Sequence, residues 1–179
     1  MIYAFLADGF EEIEAIATID VLRRAEVSVT TVGIGGRAVT GAHGITVTAD
    51  IADSQADIGQ ADGIFLPGGM PGTLNLEASD TVQAAITHCA ENGLMIAAIC
   101  AAPSVIGKRG LLAGRRATCF DGFESALTDA VFTGAQFETD GNFITGIGAG
   151  AAVDFALAIV EYLKGRAAAE SLRKAMKCR

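Results

Sequence analysis

Apolar and polar residues follow two rhythms along this chain. Nearly unbroken apolar runs of four to six residues occupy 2–7, 63–66 and 94–99. Runs this short, bounded by turn residues, predict strands buried on both faces. Elsewhere the spacing changes to threes and fours. Residues 11–24 place Ile13, Ile16, Ala17, Ile19 and Val21 at helical intervals, and helices are also predicted over 80–91, 103–109, 151–163 and 167–176. Asp80 is the expected N-cap of the second, and Pro103 suits the first turn of the third. Shorter strand patterns lie at 27–34, at 38–40 and 45–48 around the glycine turn 41–44, at 116–119, and at 135–139 and 143–147 around Asp140-Gly141-Asn142. A helical turn is expected at 53–58.

Strands that alternate with helices predict a mostly parallel sheet with helices on both faces. The all-apolar runs 63–66 and 94–99 belong at its centre. Chemistry in such a sheet is expected at the carboxyl ends of the strands, near the point where strand order reverses. The 179 residues carry no linker, repeat or low-complexity stretch, so one domain, 1–179, is expected.

Composition sharpens this picture by exclusion. Hydrophobic residues make up 51% and charged residues 19%, the balance of a core-forming chain. No apolar run approaches the roughly 20 residues that span a bilayer, so no membrane partner is expected. A net charge of −8 argues against nucleic acid. Arg115-Arg116 and the basic tail from Arg173 to Arg179 read as solvated surface. No basic and apolar leader opens the chain, which suggests a cytoplasmic protein. Cys89, Cys100, Cys119 and Cys178 are widely spaced and, with two histidines, offer no zinc pattern. Free thiols and no metal are expected.

Three strand ends carry candidate chemistry. At Ala97-Ala98-Ile99-Cys100-Ala101-Ala102-Pro103 an apolar strand runs into Cys100 and directly into a helix, with Ala98 and Ala102 two places either side. A nucleophile elbow needs this pattern, because its sharp turn has no room for bulk. The helix start beneath the sulfur is expected to lower the thiol pKa. A buried, inert cysteine would show the same pattern. At Leu66-Pro67-Gly68-Gly69-Met70-Pro71-Gly72, glycines after a buried strand would let backbone N–H groups face a pocket, or simply form a turn. At Gly9-Phe10-Glu11-Glu12-Ile13-Glu14, Glu14 shares a helical face with Ala17 and Val21. There it is either pressed into the core as a protonated acid or reaches out to water. Gly146-Ile147-Gly148-Ala149-Gly150-Ala151 fits a dinucleotide fingerprint, but no further strand follows, so close helix–sheet packing explains it better. His88 and Cys89 read as ordinary helix residues, Cys119 as packing and Cys178 as an exposed tail residue. His43 suits a surface loop or a reach into the site.

Taken together and in this order, the segments resemble the DJ-1/ThiJ/PfpI superfamily, in its DJ-1-like branch, over nearly the whole chain. The resemblance rests on residues 9–14 with 20–25, on Leu66-Pro67-Gly68-Gly69, on Ala97-Ala98-Ile99-Cys100-Ala101 and on 154–160. It implies a flavodoxin-like three-layer sandwich of the class I glutamine-amidotransferase type. It implies Cys100 as the oxidisable nucleophile with protonated Glu14 hydrogen-bonded to its sulfur. It implies an oxyanion pocket of backbone groups at Gly68, Gly69 and Ala101, and a homodimer through the first helix with Arg24 near the shared site. Two departures stand out. Ala101 occupies the place where protease-like members carry histidine, which argues against peptidase activity. The stretch Ala117-Thr118-Cys119-Phe120-Asp121 lacks the histidine that the DJ-1-like branch often has near its pocket. A general base would then be Glu14, His43 (from either subunit) or water. Two functions remain: a cofactor-independent glyoxalase or deglycase acting on small reactive carbonyls such as methylglyoxal, or a redox sensor or stress-protective chaperone working through oxidation of Cys100. No cofactor is expected for either.

Overall fold

The computed structural model describes residues 1–178; Arg179, the last residue of the basic tail, lies outside them. Among the described residues, β1 (Ile2–Leu6), β2 (Val29–Gly33), β5 (Ile51–Ala52), β6 (Gly63–Leu66), β7 (Met95–Ile99), β10 (Phe137–Asp140) and β11 (Phe143–Gly146) form one sheet, ordered β10-β11-β7-β6-β1-β2-β5. Every pairing is parallel except β10 with β11. The intervening β3 (Ala38–Thr40) and β4 (Thr46–Thr48) form a separate antiparallel ribbon, and β8 (Arg116–Ala117) and β9 (Val131–Phe132) a second small pair.

The apolar strands supply both faces at once, because successive side chains point to opposite sides. From β1, Ile2, Ala4 and Leu6 join one core cluster, whereas Tyr3 and Phe5, with Ala7 just beyond, join the other. The first cluster is closed by α1 (Glu12–Arg24), α5 (Ala152–Lys164) and α6 (Arg166–Ala175). The second is closed mainly by α3 (Asp80–Glu91), with α2 (Gly72–Ala78) and α4 (Pro103–Gly107) contributing Leu76, Val105 and Ile106. Gly146 lets α5 approach closely: a Cβ there would lie 2.9 Å from the Phe155 ring and 2.8 Å from Ile99. That contact accounts for the apparent dinucleotide fingerprint as helix–sheet packing.

Several expected elements differ in extent, for local reasons. The cap of α3 is Ser79, whose hydroxyl accepts from the Val82 N–H, and Asp80 is the first helical residue. The turn expected at 53–58 is two short 3₁₀ segments, Asp53–Gln55 and Ile58–Gln60. The strand expected at 116–119 stops at Ala117, because the Thr118 N–H turns to the Thr145 hydroxyl and the Phe120 N–H to the Cys100 carbonyl. This redirected segment crosses the strand ends instead of joining the main sheet. Arg115 and Arg116 pair with Asp140 and Glu138, which ties the β8 segment to the edge strand β10. The short helix α2 and the strands β5 and β9 had no distinct apolar period and were not expected. The carboxyl ends of β1, β6, β7 and β11 converge, and the site lies there.

Candidate active site

Cys100 follows β7 directly, with φ of +64°. Left-handed backbone is costly for a residue with a Cβ, on the order of 1–3 kcal/mol, and persists only where its surroundings hold it. Two hydrogen bonds do so here: the Cys100 N–H donates to the Gly146 carbonyl (2.9 Å), and the Cys100 carbonyl accepts from the Phe120 N–H (2.8 Å). The elbow is therefore pinned from the β11 side of the sheet. Cys100 as a residue is partly exposed, while Cys89 and Cys119 are fully buried.

The β6 side brings in the acid. Glu14 lies on the inner face of α1 with 1% exposure, so of the two readings open to it the chain adopts the buried one. One carboxylate oxygen accepts from the Gly68 N–H at 2.9 Å. The other is buried without a hydrogen-bonding nitrogen or oxygen. Gly68 is the hinge of this arrangement. A Cβ on it would stand 2.6 Å from the Cys100 Cβ, 2.7 Å from Glu14 Oε2 and 3.0 Å from the Cys100 sulfur. Only glycine lets acid and thiol meet. Gly69, with φ of +90°, is equally constrained: a side chain would strike the Glu11 N–H and the Gly9 carbonyl of the β1–α1 turn. The N–H groups of Gly69 and Ala101 face the sulfur.

Electrostatics divide the roles differently from the sequence expectation. Burial pushes Glu14 up to about 7, against opposing hydrogen bonds from Cys100 and the Gly68 N–H. Burial likewise pushes the Cys100 thiol up to about 12; the Glu14 charge and hydrogen bond add to this, and the Gly69 and Ala101 N–H groups oppose it. The expected lowering by the following helix does not prevail over burial and the Glu14 charge. Near neutral pH burial thus resists ionisation of both groups, and the Glu14 charge, when present, makes the thiol harder still to ionise.

Within the single chain, His43 and Arg24 are held away from the Cys100–Glu14 contact. The His43 ring is 70% exposed and bonds to Glu12 Oε2 at 2.8 Å, while its backbone N–H donates to Glu12 Oε1. Gly41 gives the Glu12 carboxylate its room, since a Cβ there would meet it at 2.3 Å. Burial raises the Glu12 pKa, but hydrogen bonds led by the His43 ring outweigh it and the net shift is downward. Glu11, Glu12 and His43 place ligand-type atoms within 4.8 Å of one another. Their carboxylates are engaged internally, Glu11 by the Glu14 N–H and Glu12 by His43. Arg24 ends α1, ten residues beyond Glu14, or about 15 Å along the helix. It pairs there with Asp20. His88 and Cys89 are ordinary residues of α3, and Cys119 is core packing. Cys178 is partly buried against the α-helical core instead of projecting as an exposed tail residue. Gly146 and Phe120, which pin the elbow, were not expected as site residues. Their roles depend on backbone bonds between distant segments, which no local pattern announces.

The Glu14 shift has a consequence for stability. A carboxyl raised from 4.5 to about 7 contributes stability that is fully present below pH 4.5 and lost as pH rises through about 7. At about 1.4 kcal/mol per unit this amounts to ~3 kcal/mol at most. Glu14→Gln, neutral at all pH, should therefore lose about 1–3 kcal/mol less stability than wild type between pH 5 and pH 8. Chemical denaturation at the two pH values reads this directly. Equal losses in the two proteins would mean that Glu14 ionises freely.

Comparison with known proteins places this geometry. The sequence profile of the DJ-1/PfpI family matches residues 1–162. Protein DJ-1 homolog B of Arabidopsis thaliana is 38% identical over 172 residues, which cover 95% of this chain and 39% of that longer protein. A Caenorhabditis elegans protein named glutathione-independent glyoxalase is 34% identical over 169 residues, covering 92% of this chain and 88% of its own. The crystal structure of a DJ-1 superfamily protein from Salmonella typhimurium, a cysteine-to-alanine mutant, superposes with a TM-score of 0.91 at 37% identity, covering 98% of this chain and 97% of that one. The fold, the order of the strand ends and these similarities agree, and the chain belongs to the DJ-1/PfpI family.

Proposed function

We propose that the chain is a cofactor-independent glyoxalase-type enzyme that converts small 2-oxoaldehydes to 2-hydroxy acids. The observation that carries this reading is the meeting of Glu14 and Cys100 across Gly68, with Glu14 near pH 7 and N–H donors beside the sulfur. An acid–base group works best when its pKa lies near the operating pH. The glyoxalase name of the Caenorhabditis elegans relative supports the same reading.

The steps use this chain's own groups. Ionised Glu14 takes the thiol proton as the Cys100 sulfur attacks the aldehyde carbon. The resulting oxyanion is met by the N–H groups of Gly69 and Ala101 and receives the proton, giving a hemithioacetal. Glu14 then removes the hydrogen from the former aldehyde carbon and returns it to the neighbouring carbon. That step oxidises one carbon and reduces the other, leaving a thioester of the 2-hydroxy acid. Water releases the acid and restores the thiol. Deglycase action on glycated amines is the same thiol chemistry on an adduct of the same aldehydes. Ala101 in place of histidine leaves no adjacent Cys-His pair for peptidase chemistry. The lack of a pocket histidine puts the base role on Glu14.

A second reading has its own support. Cys100 is partly exposed and flanked by N–H donors able to hold sulfinate oxygens, which suits a redox sensor in a stress response. The raised thiol slows oxidation and carbonyl addition alike, because the thiolate is the reactive form in both.

We further infer a homodimer through α1, in a cytoplasmic setting. Ile13 (58% exposed) and Ile16 on α1 lie open together with Ile45 (57%) just before β4. Among the described residues no helix is long and apolar enough to cross a membrane.

Purified protein given methylglyoxal without glutathione should produce lactate by proton NMR, and Cys100→Ser and Glu14→Gln should each lower the rate at least about 100-fold. A silent wild type whose Cys100 alone gains oxygen from mild peroxide would give the second reading precedence. For the dimer, sedimentation should show twice the 18.3 kDa chain mass in wild type and a monomer in Ile13→Glu. A monomeric wild type would remove α1 as an interface.

A further inference from the structure

The half of the pocket on the β11 side takes no part in the steps above, yet it is built. Strand order places β7 between β6 and β11. Cys100, at the end of β7, therefore has Gly68 and Glu14 on one flank and Gly146 and the Phe120 segment on the other. Beyond Gly146 a cavity of about 390 Å³ opens, with Phe120, Gln136, Ile147 and Ala149 among its lining. That volume is in the range of small-molecule sites. Cys100 does not itself line the cavity; it is joined to it through the backbone bonds to Phe120 and Gly146.

Phe120 is the unusual feature. The residue is 49% exposed, although its backbone N–H is fixed to the nucleophile's carbonyl. Gly148 gives the ring a floor: a Cβ on Gly148 would lie 3.3 Å from Phe120 Cδ2, so the ring rests against bare backbone. An aromatic surface whose backbone is bonded to the nucleophile's own carbonyl, and which is left open to solvent, is suited to covering a flat apolar group. The polar side chains of the lining are Gln136 and Asp121, and the Asp121 carboxylate disfavours an anionic substituent.

We propose that Phe120 is a specificity-determining residue, and that the preferred substrates are 2-oxoaldehydes whose ketone carries an aryl or bulky apolar group. The inference rests on the glyoxalase-type reading and names its substrate class. With the aldehyde carbon bonded to sulfur and its oxygen between the Gly69 and Ala101 N–H groups, the acyl substituent extends across the β11 flank onto the Phe120 ring. The overall conversion is R–CO–CHO plus water to R–CH(OH)–COOH, which balances without an external oxidant or reductant. Only R changes, so the acid–base steps at Glu14 and Cys100 are the same for every member of the class.

The test compares phenylglyoxal with methylglyoxal in wild type, Phe120→Ala and Phe120→Leu. It also measures mandelate and lactate binding to the same three proteins by ligand-observed NMR, which needs no turnover. Wild type should favour phenylglyoxal in kcat/KM by about ten-fold or more, and Phe120→Ala should erase most of that ratio, with Phe120→Leu between. Mandelate should bind more tightly than lactate in wild type and lose that advantage in Phe120→Ala. If neither aldehyde is turned over but mandelate still binds through Phe120, the glyoxalase reading fails and the aryl subsite stands. If the kcat/KM ratio or the mandelate preference is the same in all three proteins, the assignment of Phe120 is overturned while turnover is left intact.

Discussion

Glu14, Gly68 and the Cys100 sulfur occupy a space that has no room for one more carbon. The rest of the fold can be read as the means of holding that contact. β6 delivers Gly68, β7 delivers Cys100, and α1 carries Glu14 inward on its buried face. A Cβ at Gly68 would fall within 3.0 Å of both reacting groups, so the acid and the thiol are neighbours by exclusion as much as by attraction. The Gly69 turn locks the same loop to the β1–α1 connection, where the Glu11 N–H donates to the Gly68 carbonyl. Movement of any of these three elements would part the pair.

Burial then sets the chemistry. A carboxyl and a thiol shut away together cannot both ionise cheaply: burial raises both, the Glu14 charge raises the thiol further, and the Cys100 hydrogen bond holds the carboxyl down. The outcome is a thiol pushed well above its ordinary range beside a carboxyl raised to about 7. Such a pair is suited to passing a proton from sulfur to carboxylate as the sulfur attacks. The left-handed Cys100 backbone belongs to the same design, because the strained turn aims the sulfur at the strand ends while Gly146 and Phe120 hold it.

Much of this was legible in the chain itself. All-apolar runs at 63–66 and 94–99 marked the central strands, since a strand covered on both faces has no polar period. Small residues around Cys100 marked the elbow, because bulk cannot pass that turn. Other features were out of reach for physical reasons. The direction of Glu14 was open because a carboxylate at a helix edge and one in a core share a sequence period. The cap of α3 was misplaced by one residue because Ser79 and Asp80 are both good caps. The thiol pKa was expected to fall because the helix start was read alone, without the burial and the Glu14 charge that push the thiol up. Phe120 gave no signal, since its place depends on Thr118 leaving the strand pattern for the Thr145 hydroxyl.

The central claim is that the Glu14 charge acts directly on the Cys100 thiol. The most direct measurement is the alkylation rate of Cys100 across pH 6–10, followed by peptide mass, in wild type and Glu14→Gln. Removing the carboxylate removes the push that raises the thiol, so the variant's profile should move to lower pH and its rate at pH 8 should exceed that of wild type. An unchanged profile, or one displaced to higher pH, would contradict the coupling on which this account rests.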